Sequence, residues 1–424
     1  MRTSILGGRV VDPASGIDRV DDLHLADGLI ASLGEPPPGF HAEDVVEAEG
    51  LVVCPGLVDL CARLREPGCE HKATIGSETR AALAGGITTL CIPPDTEPVI
   101  DEPSVVELIN HRNRQTGVAR LVTIGAMTIG LRGDLLSEMA ALKAAGCVGV
   151  GNALEPIRST LVMRRAMEYA ATYDMTVFLV ASDPWLSDGG HVHEGAAATR
   201  LGLQGIPVSA ETAVIARDLA LVEEVGVRAH FCRLSSARSV EMIGRAREEG
   251  LPVSADVSAH QLHLTEAAIA GFDALAHVLP PLRTFKDREA LRGGVRDGWI
   301  NAICSDHQPH ETDAKLRPFE ATEPVISSLE TLLPLALGMT ALDLPLDGLL
   351  ARVTSEPARI LGLQSGTLGV GAQADICVFD PHATFDLNAA TLQSRGRNTP
   401  FHGSTLRGQV MFTLVGGERL YTRA

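Results

Sequence analysis

The stretch Leu51-Val52-Val53-Cys54-Pro55-Gly56-Leu57-Val58-Asp59-Leu60-Cys61-Ala62-Arg63-Leu64-Arg65-Glu66-Pro67-Gly68 joins an apolar run to a short segment rich in charge. Residues 51–58 have no polar member, which is the pattern of a strand covered on both faces, as in a parallel sheet. The residues after Val58 then fall at the carboxyl end of that strand, where parallel α/β folds build their pockets. Into that position the chain puts a thiol, Cys61, and two guanidinium groups, Arg63 and Arg65.

Outward from this strand the same alternation repeats. Apolar, β-rich runs lie at 51–58, 86–92, 119–126, 147–151, 176–181, 228–232, 252–257 and 300–305. Between them come segments with helical periodicity, among them 77–84, 135–145, 161–171, 213–225 and 239–249. Strands alternating with helices require parallel pairing with crossover connections, and eight such units close into a TIM-like (β/α)8 barrel. A doubly wound open sheet is the competing arrangement, but no glycine-rich phosphate loop supports it. The ends read differently: residues 1–50 and 366–424 carry short alternating strands with tight turns, expected to form one small β-sandwich from both termini, with the barrel spanning 51–365.

Composition agrees with an α/β domain of this size. The chain has 424 residues, 45% hydrophobic but only 4% aromatic, so its packing is built from aliphatic side chains. A net charge of −17 disfavours nucleic acid or an anionic membrane as partner. Residues 1–8 lack the long apolar core of a secretion signal, and the eight cysteines form no C-x-x-C pair. Free thiols and a cytoplasmic location are the expectation.

Several short motifs resemble those of dihydroorotases, cyclic amidohydrolases that hold a catalytic divalent cation. They are Pro55-Gly56-Leu57-Val58-Asp59, Leu64-Arg65-Glu66-Pro67-Gly68, Gly85-Gly86-Ile87-Thr88-Thr89, Gly205-Ile206-Pro207, Leu279-Pro280-Pro281-Leu282-Arg283, Ser305-Asp306-His307-Gln308-Pro309-His310 and Gly396-Arg397-Asn398-Thr399-Pro400-Phe401. They occur in the family's order along the whole chain. The resemblance implies an amidohydrolase-type barrel, and it implies where the metal ligands would be.

Ligand by ligand, those positions have lost their donors. The resemblance places Cys61 and Arg63 where the first strand of the family carries two His, Asn152 where strand four carries a bridging Asp or modified Lys, Val180 where strand five carries His, and Arg233 where strand six carries His. Asp306, the strand-eight carboxylate, is retained. Guanidinium has five donors, no lone pair and a permanent charge, so Arg63 and Arg233 cannot be ligands and repel a dication. Zinc is therefore expected to be lost, with no catalytic residue and no cofactor remaining. A buried Asp306 without metal needs another cation, and Arg63 or Arg233 is expected to supply it.

The substrate-binding positions are altered as well. Arg65 and His310 match the family, whereas Asp95 and Leu279 stand where it carries Asn; Asp95 would repel a substrate carboxylate and is expected to pair with Arg65. Asp306, His307 and His310 also have a plain reading as groups that cap the strand end and hold neighbouring loops. His191-Val192-His193 has the spacing of a metal-binding pair but falls in a loop after strand five. Cys61 with Asp59, Asp306 and His230 or His260 is the alternative in which an improvised zinc site survives.

Three functional classes follow. The chain is read first as a catalytically inactive protein resembling the non-catalytic dihydroorotase-like chain that some bacteria assemble with aspartate carbamoyltransferase in pyrimidine biosynthesis. That resemblance implies the transcarbamoylase as partner in a hetero-oligomer, with self-association besides. The alternatives are an active hydrolase of cyclic amides with a non-standard metal site, and a small regulatory module binding an anion in an arginine-lined pocket.

Overall fold

The computed structural model describes residues 2–423. Eight strands, Leu57–Asp59, Ile87–Ile92, Arg120–Ala126, Gly149–Gly151, Thr176–Val180, Ala229–Cys232, Val253–Ser258 and Ala302–Cys304, pair side by side in chain order. Every ladder between them is parallel. Helices such as Ile75–Ala84, Thr160–Thr172, Ser209–Val225 and Ala237–Glu248 cross over between them, so the expected (β/α)8 barrel is present. Among the described residues no helix is long and apolar enough to cross a membrane.

The apolar run that opens the reading is shared between two sheets. Val52–Pro55 pairs in parallel with Arg9 and Val10 and antiparallel with residues 376–379, within a sheet made from both termini. Only Leu57–Asp59 joins the barrel. The break between them is Gly56, where any Cβ would collide with the Thr88 side chain of the next barrel strand. Continuous apolarity could not reveal this division, because both halves are buried. The terminal sheet has eight strands, including Arg2–Asp12, Ile17–Ala26, Ile376–Asp386 and Thr405–Val415, and it closes on its own cluster of Ile5, Val10, Leu23, Val53, Ile376 and Leu414.

Helix 135–145 of the sequence reading also shortens: the structure begins it at Met139. Leu135 accepts from the Ile129 N–H at 2.9 Å and the Ser137 hydroxyl donates to the Ala126 carbonyl at 2.5 Å. These contacts hold 135–137 against the end of strand three, offering the backbone an alternative to helix.

No ladder joins the first barrel strand to the eighth; the seam is closed by other bonds. At its amino end, Val58 N–H and Ile303 N–H donate to the carbonyls of Val353 and Arg352, at 2.9 and 3.0 Å. At its carboxyl end, Arg63 N–H reaches the His307 carbonyl at 2.9 Å and His307 N–H the Cys61 carbonyl at 3.2 Å. Between these, the buried Asp59 carboxylate accepts from Ser305 N–H at 2.8 Å and from the Ser305 hydroxyl at 2.5 Å. Burial pushes Asp59 up to about 7, the Ser305 hydrogen bonds opposing it.

A carboxyl whose folded pKa is raised contributes stability at low pH that is lost as pH rises toward the folded value. Between about pH 4 and 7 the folded chain keeps a proton on Asp59 that the unfolded chain has released, at about 1.4 kcal/mol per pH unit for a group fully in that window. Asp59→Asn removes this contribution. Urea unfolding at pH 5 and pH 8 should show the stability of the native chain relative to Asp59→Asn declining across the interval; a pH-independent difference would contradict the assignment.

Candidate functional site

Four side chains of the sequence reading meet at the carboxyl ends of strands one, six and eight: Cys61, Arg63, Arg233 and Asp306. Asp306 Oδ1 accepts from Arg233 Nη1 at 2.7 Å and from Arg63 Nη1 at 3.5 Å. The Cys61 thiol lies 3.6 Å from the same oxygen, and Gln308 Nε2 donates to it at 3.3 Å. Both arginines therefore converge on the carboxylate that the sequence reading paired with one of them.

The second carboxylate is Asp95, and its partner differs from the expected one. Asp95 Oδ2 accepts from Arg63 Nε at 2.7 Å, not from Arg65. Arg65 has a left-handed backbone, φ 65°, and its Nε turns to the Pro309 carbonyl at 3.0 Å. Arg233 and Asp306 are also left-handed, with φ 56° and 49°. Such conformations cost about 1–3 kcal/mol each and survive where the surrounding fold imposes them. Here they bend three chain segments sharply just past their strands.

Arg63, Arg233 and Asp306 are buried and, with the half-buried Asp95, make a cluster of two guanidiniums and two carboxylates. Burial pushes Asp306 up, but Arg233, Arg63 and His260 pull harder and hold it below the usual carboxylate range. Burial holds Cys61 up at about 12, against the pull of both arginines, so its thiol keeps the proton. Burial also holds His260 down at about 4.

These residues do not fit the divalent cation that such barrels hold. The carboxylate that would bind it is occupied by two guanidiniums. For a dication added to these four groups, repulsion of about 4 kcal/mol per unit-charge pair at 4 Å and an effective dielectric near 20 from each guanidinium offsets the attraction of the carboxylates. The improvised site is not assembled either: Asp59 is committed to Ser305, and His230 lies between Ser254 Oγ at 2.8 Å and Asp256 Oδ2 at 2.9 Å. His230, Cys232 and Asp256 do place ligand-type atoms within 4.8 Å of one another. However, Asp256 is further held by Arg233 N–H at 2.6 Å, and burial pushes the Cys232 thiol well up.

The remaining predicted positions are separate from this cluster. Asn152 turns its amide into the neighbouring loops: Oδ1 accepts from Thr128 Oγ1 at 2.8 Å, and Nδ2 donates to the carbonyls of Leu131 and Glu155. It holds backbone in place of a metal. Val180 and Leu279 line a mostly apolar cavity of about 130 Å3 beside Arg233. His310 fixes its loop through its N–H to Asn398 Oδ1 at 3.0 Å, and its ring lies 2.7 Å from Glu311. His193 is not half of a metal pair, since its Nδ1 faces Arg283 Nη1 at 3.1 Å and must accept there.

His307 is explained by a residue the sequence did not single out. Its Nε2 meets Glu78 Oε2 at 2.9 Å, while its Nδ1 accepts from Ser328 N–H at 3.0 Å. Glu78 also accepts from Ser77, Ser394 and Arg395 N–H, so one buried carboxylate ties the first helix to the strand-eight turn and the 394–398 loop. Nothing in its local sequence distinguishes Glu78 from a solvated helix glutamate.

A closed parallel barrel, a sheet built from both termini and charged side chains gathered at the strand carboxyl ends define an amidohydrolase-type protein. Its backbone is similar to those of L-hydantoinase (dihydropyrimidinase) from Arthrobacter aurescens, with TM-score 0.89, 23% identity and coverage of 100% of this chain and 96% of that one, and dihydropyrimidinase from Brevibacillus agri NCHU1002, with TM-score 0.86, 20% identity and coverage of 100% and 95%. Residues 50–239 match the dihydro-orotase-like family and residues 328–421 the amidohydrolase family. The chain is 52% identical to the dihydroorotase-like protein of Pseudomonas putida, over 98% of each chain. It is 42% identical to the dihydroorotase of Anaeromyxobacter dehalogenans strain 2CP-C, over 97% of this chain and 96% of that one. This chain belongs to the dihydroorotase-like family.

Removing both cations tests the cluster. In the native chain Asp306 has a depressed pKa, so its contribution to stability is present above the unfolded value, near 3.9, and is lost as pH falls through the folded one. In an Arg63→Met/Arg233→Met variant burial acts unopposed, its pKa rises, and stability should fall as pH rises through the neutral range. Arg233→Met alone is expected to cost about 3–5 kcal/mol at pH 7 in denaturant unfolding. A loss below 1 kcal/mol would mean that the ion pair does not hold the site, by the same ~3–5 kcal/mol standard.

Proposed function

We propose that this chain is a catalytically inactive dihydroorotase-like protein that serves as an assembly subunit for aspartate carbamoyltransferase in de novo pyrimidine (UMP) biosynthesis. The observation that carries this reading is the Arg63–Asp306–Arg233 cluster: two permanent cations sit on the one carboxylate left from the metal-binding positions. Hydrolysis of a cyclic amide needs a water made nucleophilic and an anion stabilised as the ring opens. Arg63 and Arg233 can stabilise an anion but cannot take a proton. Asp306 is held ionised below the usual range and so is a weak base, and the neutral His260 lies at about 4.

The names borne by relatives are consistent with this division. Relatives from Pseudomonas putida and Pseudomonas aeruginosa, at 52% and 51% identity, are called dihydroorotase-like protein, while that of Anaeromyxobacter dehalogenans, at 42%, is called dihydroorotase. That last name favours the competing reading, an active cyclic-amide hydrolase, and the two are separable by experiment. Purified chain supplied with zinc or manganese is expected to show no turnover of dihydroorotate or hydantoin above background, and elemental analysis should find zinc well below one per chain. Turnover that chelation abolishes would establish the hydrolase instead. Co-expression with the aspartate carbamoyltransferase of the same organism should yield a co-eluting complex, with transcarbamoylase assembly impaired when this chain is deleted; independent elution and normal assembly would reject the subunit role.

A further inference from the structure

The face of the barrel opposite Asp306 carries a groove of about 710 Å3 beneath the amino ends of strands four to seven. Its charged lining is Lys143, Arg228, Arg247 and Arg359 against a single carboxylate, Asp174. The molecule as a whole has a net charge of −17, so this is a basic basin on an acidic protein. Its apolar lining includes Leu251, Pro252 and Leu363.

Part of this charge is spent locally. Arg228 pairs with Asp174 at 2.5 Å and Arg359 with Glu356 at 2.6 Å. Arg247 instead meets neutral groups, Asn301 Oδ1 and the Val253 carbonyl. Burial, and then the Arg359 charge beside it, hold Arg247 below its ordinary value. Lys143 bonds only a carbonyl, that of Tyr173, at 2.5 Å. Lys143 and Arg247 thus have no carboxylate partner among the described residues, and an incoming anion would supply one.

We propose that this groove is the docking site for an acidic segment of the partner subunit, a stretch of polypeptide whose carboxylates meet Lys143, Arg247 and Arg359 while apolar side chains between them cover the apolar lining. The proposal rests on the assembly role given above and names the surface through which it acts. A second copy of this chain is the competing occupant, and its binding would show as a change in the oligomeric state of the chain alone. A small phosphate ligand fits less well than a peptide: the groove is wide, half its lining is apolar, and no helix amino terminus points into it. The location also fits a scaffold, since docking there leaves the carboxyl-end loops of the barrel untouched.

The test is binding of the unmodified chain and of Lys143→Glu/Arg359→Glu to the aspartate carbamoyltransferase chain of the same organism, by isothermal titration at several salt concentrations. Arg359 is exposed, with 62% of its side chain accessible, so the double variant should fold, which circular dichroism and thermal melting check. Lys143→Gln/Arg359→Gln replaces it if it does not. The unmodified complex should weaken steadily as salt rises, and the charge-reversed variant should bind at least about tenfold more weakly. Arg19→Glu, in the terminal sheet, should bind normally. If the unmodified chain forms no complex, the assembly role itself falls and this surface with it. If it forms a complex that is insensitive both to salt and to Lys143→Glu/Arg359→Glu, the assembly role stands and the groove is excluded. Should the substitutions instead change the oligomeric state of the chain alone, the occupant is a second copy and the proposal is overturned.

Discussion

Asp306 is the constraint around which the carboxyl-end face of this barrel is arranged. It is buried at the end of the eighth strand, and an unpaired carboxylate there would cost several kcal/mol. The chain meets that cost with Arg233 at 2.7 Å and Arg63 at 3.5 Å, and Asp95 then balances the second guanidinium. Once those four groups are in place the pocket is electrically complete. The same charge balance that holds the site together leaves no net attraction for a divalent cation.

The replacement reaches beyond the four groups themselves. Arg233 is held by its own backbone as well as its side chain, since its N–H donates to Asp256, which in turn fixes His230 between itself and Ser254. Asn152 binds two loop carbonyls and the Thr128 hydroxyl. These polar groups are tied into the backbone, and this keeps a buried polar interior from becoming a source of instability. Glu78 does comparable work on the other side, joining His307 to the loop at residues 394–395.

Much of the architecture was legible because it rests on local regularities. Eight apolar runs alternating with amphipathic segments leave few arrangements other than a parallel barrel, and the resemblance to dihydroorotases placed Arg63, Arg233 and Asp306 at its strand ends. The division of residues 51–58 between two sheets was not legible, since a strand buried in either sheet has the same apolar pattern; the break falls at Gly56, whose missing Cβ leaves room for Thr88. Asp95 was identified, but its partner was misassigned: Arg63 and Arg65 are two residues apart, and choosing between them depends on the left-handed turn at Arg65 that sends its guanidinium to Pro309.

By itself the sequence determined which side chains offer no lone pair to a metal wherever they are placed, and Arg63, Arg233 and Val180 are informative in that sense before any fold is known. What only the tertiary structure decided was which charges meet. Ion pairing in a buried site depends on a few ångströms and on the direction of each side chain, and those are set by backbone turns and by segments far apart in the chain. The convergence of residues 63, 95, 233 and 306, and the gathering of Lys143, Arg228, Arg247 and Arg359 on the opposite face, are facts of three-dimensional closure that no spacing along the chain expresses.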